Sequence, residues 1–193
     1  MLKKENSKKT KEELIREVEE LRERVKELKN PIDELTKLYN WVFFLNFAER
    51  EFERARRFKR PMSVILVDID HLKRINSNLN TKSGDQILVE VSERCKDNIR
   101  DLDFIGCYEA GKFILLFLET NKADAKRASD RLRKVIAARP ISTAKGDVTV
   151  TVSIGVAARS DDTPDISSLL EKAEQALFIA KKQGRNRVET TSD

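Results

Sequence analysis

The chain is poor in the residues that build metal and disulfide sites. Its 193 residues include only two cysteines, Cys95 and Cys107, and one histidine, His71. The thiols do not fall at the short spacings that hold zinc, and a single imidazole cannot complete such a set. No metal site and no resident cofactor are therefore expected, and His71, beside Asp68 and Asp70, reads as a surface or satisfied side chain. Free thiols suit a reducing compartment, so a cytoplasmic location is expected. No run approaches the ~20 apolar residues that cross a bilayer, and the first residues lack the apolar core of a secretion signal. Neither sign of charge dominates: 38 basic residues stand against 33 acidic ones, a net of +5. That mild excess is no nucleic-acid-binding block, and no stacking aromatics interleave with the basic residues. It suits a small anionic ligand better than a cationic one. No internal repeat and no low-complexity segment is present.

The chain is long enough for one domain and an appendage. Charged residues make up 37% and hydrophobic ones 39%, which points to a solvated helix somewhere in the chain. That helix falls at residues 11–30. Leu14, Val18, Leu21, Val25, Leu28, Ile32 and Leu35 are spaced alternately four and three apart. β-Branched residues then sit at a and Leu at d, the pattern of a parallel two-stranded coil. Glu17 would face Arg22 of the partner favourably, and Arg24 would face Lys29 unfavourably. The plain alternative is a single amphipathic helix packed on its own domain. The narrow apolar stripe favours a homodimer. Residues 1–30 are thus expected to be a coiled-coil dimerisation helix and 31–193 a domain, with a break at Pro31.

Beyond Pro31 the pattern is α/β. A helix is expected at 41–59, with Phe44, Phe47, Ala48, Phe52 and Ala55 inward and its end before Pro61. Strands are expected at 63–69, 103–108, 112–118, 148–157 and 187–190, and helices at 84–99, 122–138 and 167–183. Lys145-Gly146-Asp147 reads as a hairpin turn. The continuous apolar runs of the first and third strands imply burial on both faces.

Several separate segments, in order, resemble the GGDEF domain of the diguanylate cyclase family, over about residues 33–190. Asp33-Glu34-Leu35-Thr36-Lys37-Leu38-Tyr39-Asn40 resembles its opening Asp-x-Leu-Thr-Gly-Leu-x-Asn, with Lys37 for Gly and Trp41-Val42 in place of an Arg pair. An apolar strand ends in Asp68-Ile69-Asp70, and the signature loop aligns with Glu109-Ala110-Gly111-Lys112-Phe113, where only the Phe remains. The resemblance implies a nucleotidyl-cyclase-like palm: a mixed, mostly antiparallel sheet flanked by helices. It also implies a metal held by the residues matching Asp68 and Gly111, so one carboxylate ligand is missing here. Lys112 stands where the family has Glu, near enough to Asp68 to place an ammonium in the metal's position. Glu109 and Ala110 replace glycines that let backbone approach phosphates. These losses lead to the expectation of a degenerate domain that is not an enzyme.

Other matches persist. Asn76 and Asp85 match the family's guanine contacts, Lys73 a lysine near the phosphates, and Lys181 and Arg185 basic phosphate contacts, giving a vestigial GTP half-site with Asp68. Leu72 replaces a Phe, and Ser77, Asn80 and Thr81 replace other motif residues. The plain readings are that Asp85 caps a helix and that Lys181 and Arg185 are helix C-terminal cations. Arg100-Asp101-Leu102-Asp103 matches the family's inhibitory Arg-x-x-Asp, five residues before Tyr108. There the family binds cyclic di-GMP; Arg131 matches a second arginine of the site, and Arg54 one that a neighbouring domain supplies. A guanidinium fork suits guanine and phosphate. The plain reading of Arg100 and Asp103 is a local ion pair worth about 0.5 kcal/mol. The leading functional expectation is a cyclic di-GMP receptor; the alternatives are a structural or partner-binding module, and residual cyclase activity or GTP binding that regulates a partner.

Overall fold

The computed structural model describes residues 10–109 and 111–191. Ala110 of the signature loop, the first nine residues of the expected coil, and the side chains of Leu21, Arg24, Leu28 and Lys29 lie outside what it describes. Helix α1 (Lys11–Lys29) opens with a reciprocal cap, in which the Thr10 hydroxyl accepts from the Glu13 amide and the Glu13 carboxylate from the Thr10 amide. It stops before Pro31, as expected. Leu14, Ile15, Val18 and Val25 along it are exposed. Among the described residues no helix is long and apolar enough to cross a membrane.

Helix α2 (Trp41–Phe58) is capped by Asn40, whose side chain accepts from the Phe43 amide at 2.8 Å. The other elements are β1 (Met62–Ile69), α3 (Leu72–Asn78), α4 (Thr81–Lys96), β2 (Phe104–Glu109), β3 (Lys112–Leu118), α5 (Lys122–Ala138), β4 (Ile141–Thr143), β5 (Gly146–Val148), β6 (Val152–Ala158), α6 (Ile166–Lys182) and β7 (Val188–Thr190). The main sheet runs β2-β3-β1-β6-β7, antiparallel at every pairing except the parallel β6–β7 edge. β4 and β5 form a hairpin about the expected turn, as a small sheet of their own. The mixed, mostly antiparallel sheet flanked by helices is the fold the sequence implied.

Three departures are informative. The β-branched run at 148–157 is not one strand, because Thr151 turns to give its carbonyl to the Asp70 amide at 2.9 Å and its hydroxyl to the Asp70 carboxylate. Helix α4 starts at Thr81, three residues before the expected position, capped by Asn80. Asp85 therefore lies inside the helix and caps nothing. Phe47 is half-buried, stacked on Phe104 with centroids 3.5 Å apart.

Alternation along β1 sorts the two faces of the sheet. Ile65, Val67 and Ile69 pack with Ile87, Val91, Leu132 and Ile136 of α4 and α5. Met62, Val64 and Leu66 pack with Phe44 and Phe52 of α2 and Leu169 and Leu177 of α6. Asp68, in phase with Leu66, thus belongs to the α6 face. α6 lies very close to the sheet at Gly155, where a Cβ would stand 2.2 Å from the Ala173 carbonyl oxygen. Burial pushes the Cys95 thiol up to about 12 and Cys107 to about 11, which leaves both unreactive.

Candidate functional site

Two charged constellations lie on this scaffold. The first is at the end of β1. Asp68 pairs in register with Lys112 of β3, so the carboxylate and the signature turn are adjacent. The ammonium at Asp68 is not that of Lys112, however. Lys181 Nζ donates to Asp68 Oδ2 at 2.6 Å, while Lys112 Nζ reaches Glu109 at 2.6 Å. The expectation for Lys112 is corrected for a geometric reason. Its chain leans over the Tyr108 ring, 5.8 Å from the centroid, toward the acid across the turn. The close seat of α6 on Gly155 meanwhile carries Lys181 to Asp68. The Tyr108 hydroxyl donates to Glu174, and burial, then Glu174, pushes its pKa up. Leu66, Tyr108, Lys112, Glu174, Phe178 and Lys181 line a cavity of about 280 Å3. Glu174 and Phe178 were not singled out in the sequence; neither sits in a motif, and only the packing of α6 brings them here.

The donor set at this strand end does not suit a divalent cation. Gly111, at the position the resemblance assigns to the second ligand, has no side chain and a φ of 83°. A Cβ there would meet Leu72 Cδ2 at 2.6 Å. Asp70 is not available either. It is 4% exposed, and its oxygens accept from Thr151 Oγ1, Ser153 Oγ and the Asn186 amide at 2.6, 2.7 and 3.1 Å. That network, which anchors the exit of α6, is absent from the sequence reading because its members lie 81 or more residues away along the chain. Asp68 is already held by the Lys181 ammonium, so a dication there would have to displace that ammonium and draw its other oxygens from water or phosphate. Among the described residues no group of three or more His, Cys, Asp or Glu is placed to hold a metal.

Of the remaining half-site residues, Asn76 lies beside the first turns of α4, which carry Asp85. Asn76 packs against Gly84, where a Cβ would stand 1.9 Å from its Oδ1, and that Oδ1 is buried without a partner. Asp85 instead lines a groove of about 280 Å3 with Leu35, Lys82, Gln86 and Ile141. Lys73 is exposed on α3, and its carbonyl accepts from Ser77. Arg185 is exposed with φ 63°, and its amide donates to the Ala180 carbonyl at the end of α6. His71 is exposed at the start of α3.

The second constellation is the turn between α4 and β2. Asp103 is 8% exposed, and its Oδ2 accepts from the backbone amide of Arg100 at 3.2 Å. Its Oδ1 is buried without a hydrogen-bond partner. Burial pushes its pKa up, against the Arg100 amide and charge, which pull it down. The expected local ion pair is not what forms: the acid pins the turn through the backbone, and the exposed Arg100 guanidinium makes no hydrogen bond or ion pair among the described residues. Arg131 of α5 reaches the same turn, donating to the Asn98 carbonyl at 3.4 Å. Arg54 is on α2, paired with Glu51 at 2.8 Å. It lines a cavity of about 220 Å3 with Met62 and Leu118, at the sheet end where β2 begins. No contact joins Arg54 to Arg100 or Asp103 among the described residues.

The palm, the strand-end carboxylate beside the turn, and the Arg-x-x-Asp turn define a nucleotidyl-cyclase-like domain. The family model for the diguanylate cyclase GGDEF domain matches residues 30–187, and the chain belongs to that family. It is 37% identical over 158 residues to the diguanylate cyclase DosC of Escherichia coli strain K12, covering 81% of this chain and 34% of DosC. The chain thus spans about a third of the length of the curated relatives it matches. Two solved structures from Caulobacter crescentus are similar. The GGDEF domain of DgcB in complex with c-di-GMP has a TM-score of 0.81 at 25% identity, over 84% of this chain and 94% of that one. The coiled coil and GGDEF domain of DgcB, also in complex with c-di-GMP, has a TM-score of 0.80 at 26% identity, over 92% and 95%. The family is one of enzymes, and the similar curated protein is named as a cyclase. The expectation of a non-enzyme, drawn from the signature loop, is overturned by that finding.

Proposed function

We propose that this GGDEF domain binds cyclic di-GMP at the Arg100–Asp103 turn, assisted by Arg131 and by Arg54, and that it signals as a homodimer joined through α1. The observation that carries the reading is the exposed guanidinium of Arg100, without a partner among the described residues, on a turn pinned by a buried acid and flanked by Arg131. A free planar fork fits guanine and phosphate, and charge-assisted contacts of this kind contribute about 1–3 kcal/mol each. Both DgcB structures are complexes with this dinucleotide, which supports the ligand assignment, and one of them includes a coiled coil. Arg54, on α2 and away from Arg100, suits a contribution to the ligand held by the neighbouring subunit. The exposed stripe of Leu14, Val18 and Val25 supports the dimer. A ligand changes the relation of two joined domains only through unequal affinity for their two arrangements. A cytoplasmic setting follows from the nucleotide ligand and the free thiols.

Calorimetric titration of cyclic di-GMP into the purified protein tests the reading. Saturable binding is expected, accompanied by a rise in melting temperature, because a ligand of the native state stabilises it. Absence of heat and of any thermal shift at high micromolar ligand would leave the fold as a partner-binding or GTP-binding module.

A further inference from the structure

We infer that the Lys181 ammonium is a built-in counter-ion that takes the place of a divalent cation at Asp68. The inference stands apart from the ligand at Arg100, since it concerns the opposite end of β2 and β3.

Three independent observations converge on it. Lys181 Nζ lies 2.6 Å from Asp68 Oδ2, with side-chain exposures of 31% and 14%. That is a direct, half-buried, charge-assisted hydrogen bond, and it fills the oxygen that a cation would take. Next, Gly111 cannot supply a second carboxylate, and its carbonyl already accepts from the Ile69 amide at 3.1 Å. Its side chain is absent, its φ of 83° disfavours an L side chain, and Leu72 Cδ2 occupies the space a Cβ would enter. Last, Lys112 adds a second ammonium on the same face, lining the same cavity. A divalent ion here would find Asp68 taken by Lys181, Glu109 taken by Lys112 and Glu174 taken by the Tyr108 hydroxyl. The ammonium has the opposite advantage: it brings three donors and one charge, and it is carried by α6 at no cost of dehydrating a small dication.

The position of Lys181 is dictated by packing. The Gly155 contact presses α6 onto β6, and the Asp70 network holds the chain leaving α6. Lys181 lies between those two anchors, so its amine is delivered to Asp68 without flexible search. The structural consequence is a strand end whose charge is satisfied internally and is indifferent to magnesium or manganese.

Melting curves with and without millimolar manganese, on the full chain, test this. The parent protein should melt at the same temperature in both, and its addition should leave the free-manganese electron-spin-resonance signal undiminished. Lys181→Met should melt lower than the parent and regain part of the loss on adding manganese, and Asp68→Asn placed in the same variant should remove that regain. A manganese-dependent rise in the parent that Asp68→Asn abolishes would overturn the inference. So would Lys181→Met with no sensitivity to manganese, because the lysine would then not be what stands in the cation's place. The parent measurement is decisive on its own if Lys181→Met fails to fold.

Discussion

Two basic clusters at opposite ends of the sheet, Lys181 with Lys112 and Arg100 with Arg131, are held in different ways. At the end of β1, Lys181 is closed by Asp68 and Lys112 by Glu109, each at 2.6 Å. At the start of β2, Arg100 is paired with no acid among the described residues, and Asp103, the acid of its motif, has turned inward to hold the backbone. Among the described residues, Arg131 beside it donates to a carbonyl and to no acid. A cation already paired must be released before it can meet a phosphate, and an unpaired one meets it directly. Charge count alone does not distinguish the two regions, since both are rich in basic residues. What distinguishes them is whether packing brings an acid within reach, and at the strand end α6 does so.

The comparison is broken most severely at Gly155. Replacing it by Leu would drive a side chain into the α6 backbone and cost about 3 kcal/mol or more, read by urea unfolding. Charge placed on the coil stripe comes next. Val18→Glu with Val25→Glu should convert a sedimenting dimer to a monomer while leaving the far-ultraviolet spectrum of the domain intact, and an unchanged mass would show that α1 does not drive association. Lys181→Ala leaves a mostly buried carboxylate without its partner and should lower stability by about 1 kcal/mol, discounted for the partial exposure of the pair. The smallest effect is expected at Asp103. Its folded pKa is raised by burial, so its contribution to stability is fully present below the ordinary carboxylate range and is lost as pH rises through the raised value. Asp103→Asn, which keeps an acceptor for the Arg100 amide, should therefore flatten the pH dependence of unfolding across that window and change neutral-pH stability by less than about 1 kcal/mol. A steeper dependence in the variant would contradict the assigned burial.

Much of the fold was legible because its signals are local. The apolar run of β1, the inward apolar face of α2 and the turn at Gly146 each specify their own segment. Helix α3 was not legible. It is seven residues, opened by His71 in the left-handed region without a side-chain cap, and Asn76-Ser77-Asn78 read as loop. The expected start of α4, Gly84, is three residues late because the cap at Asn80 was not read; Gly84 is small because Asn76 lies against it. The candidate sites show the same division. The Arg100–Asp103 motif is visible in four residues, whereas its resolution into a backbone clasp and a free guanidinium needs the turn itself. The partner of Asp68 is 113 residues away, chosen by the packing of α6, and no spacing rule reports it.

Cyclic di-GMP titration of three proteins side by side tests the central contrast most directly. Arg100→Ala should weaken binding at least about tenfold, equivalent to about 1.4 kcal/mol. Arg185→Ala, exposed at the other end and engaged only through its backbone, should bind as the parent does. The same affinity for the parent and Arg100→Ala, or a larger loss in Arg185→Ala, would contradict the assignment of the ligand to the unpaired arginine.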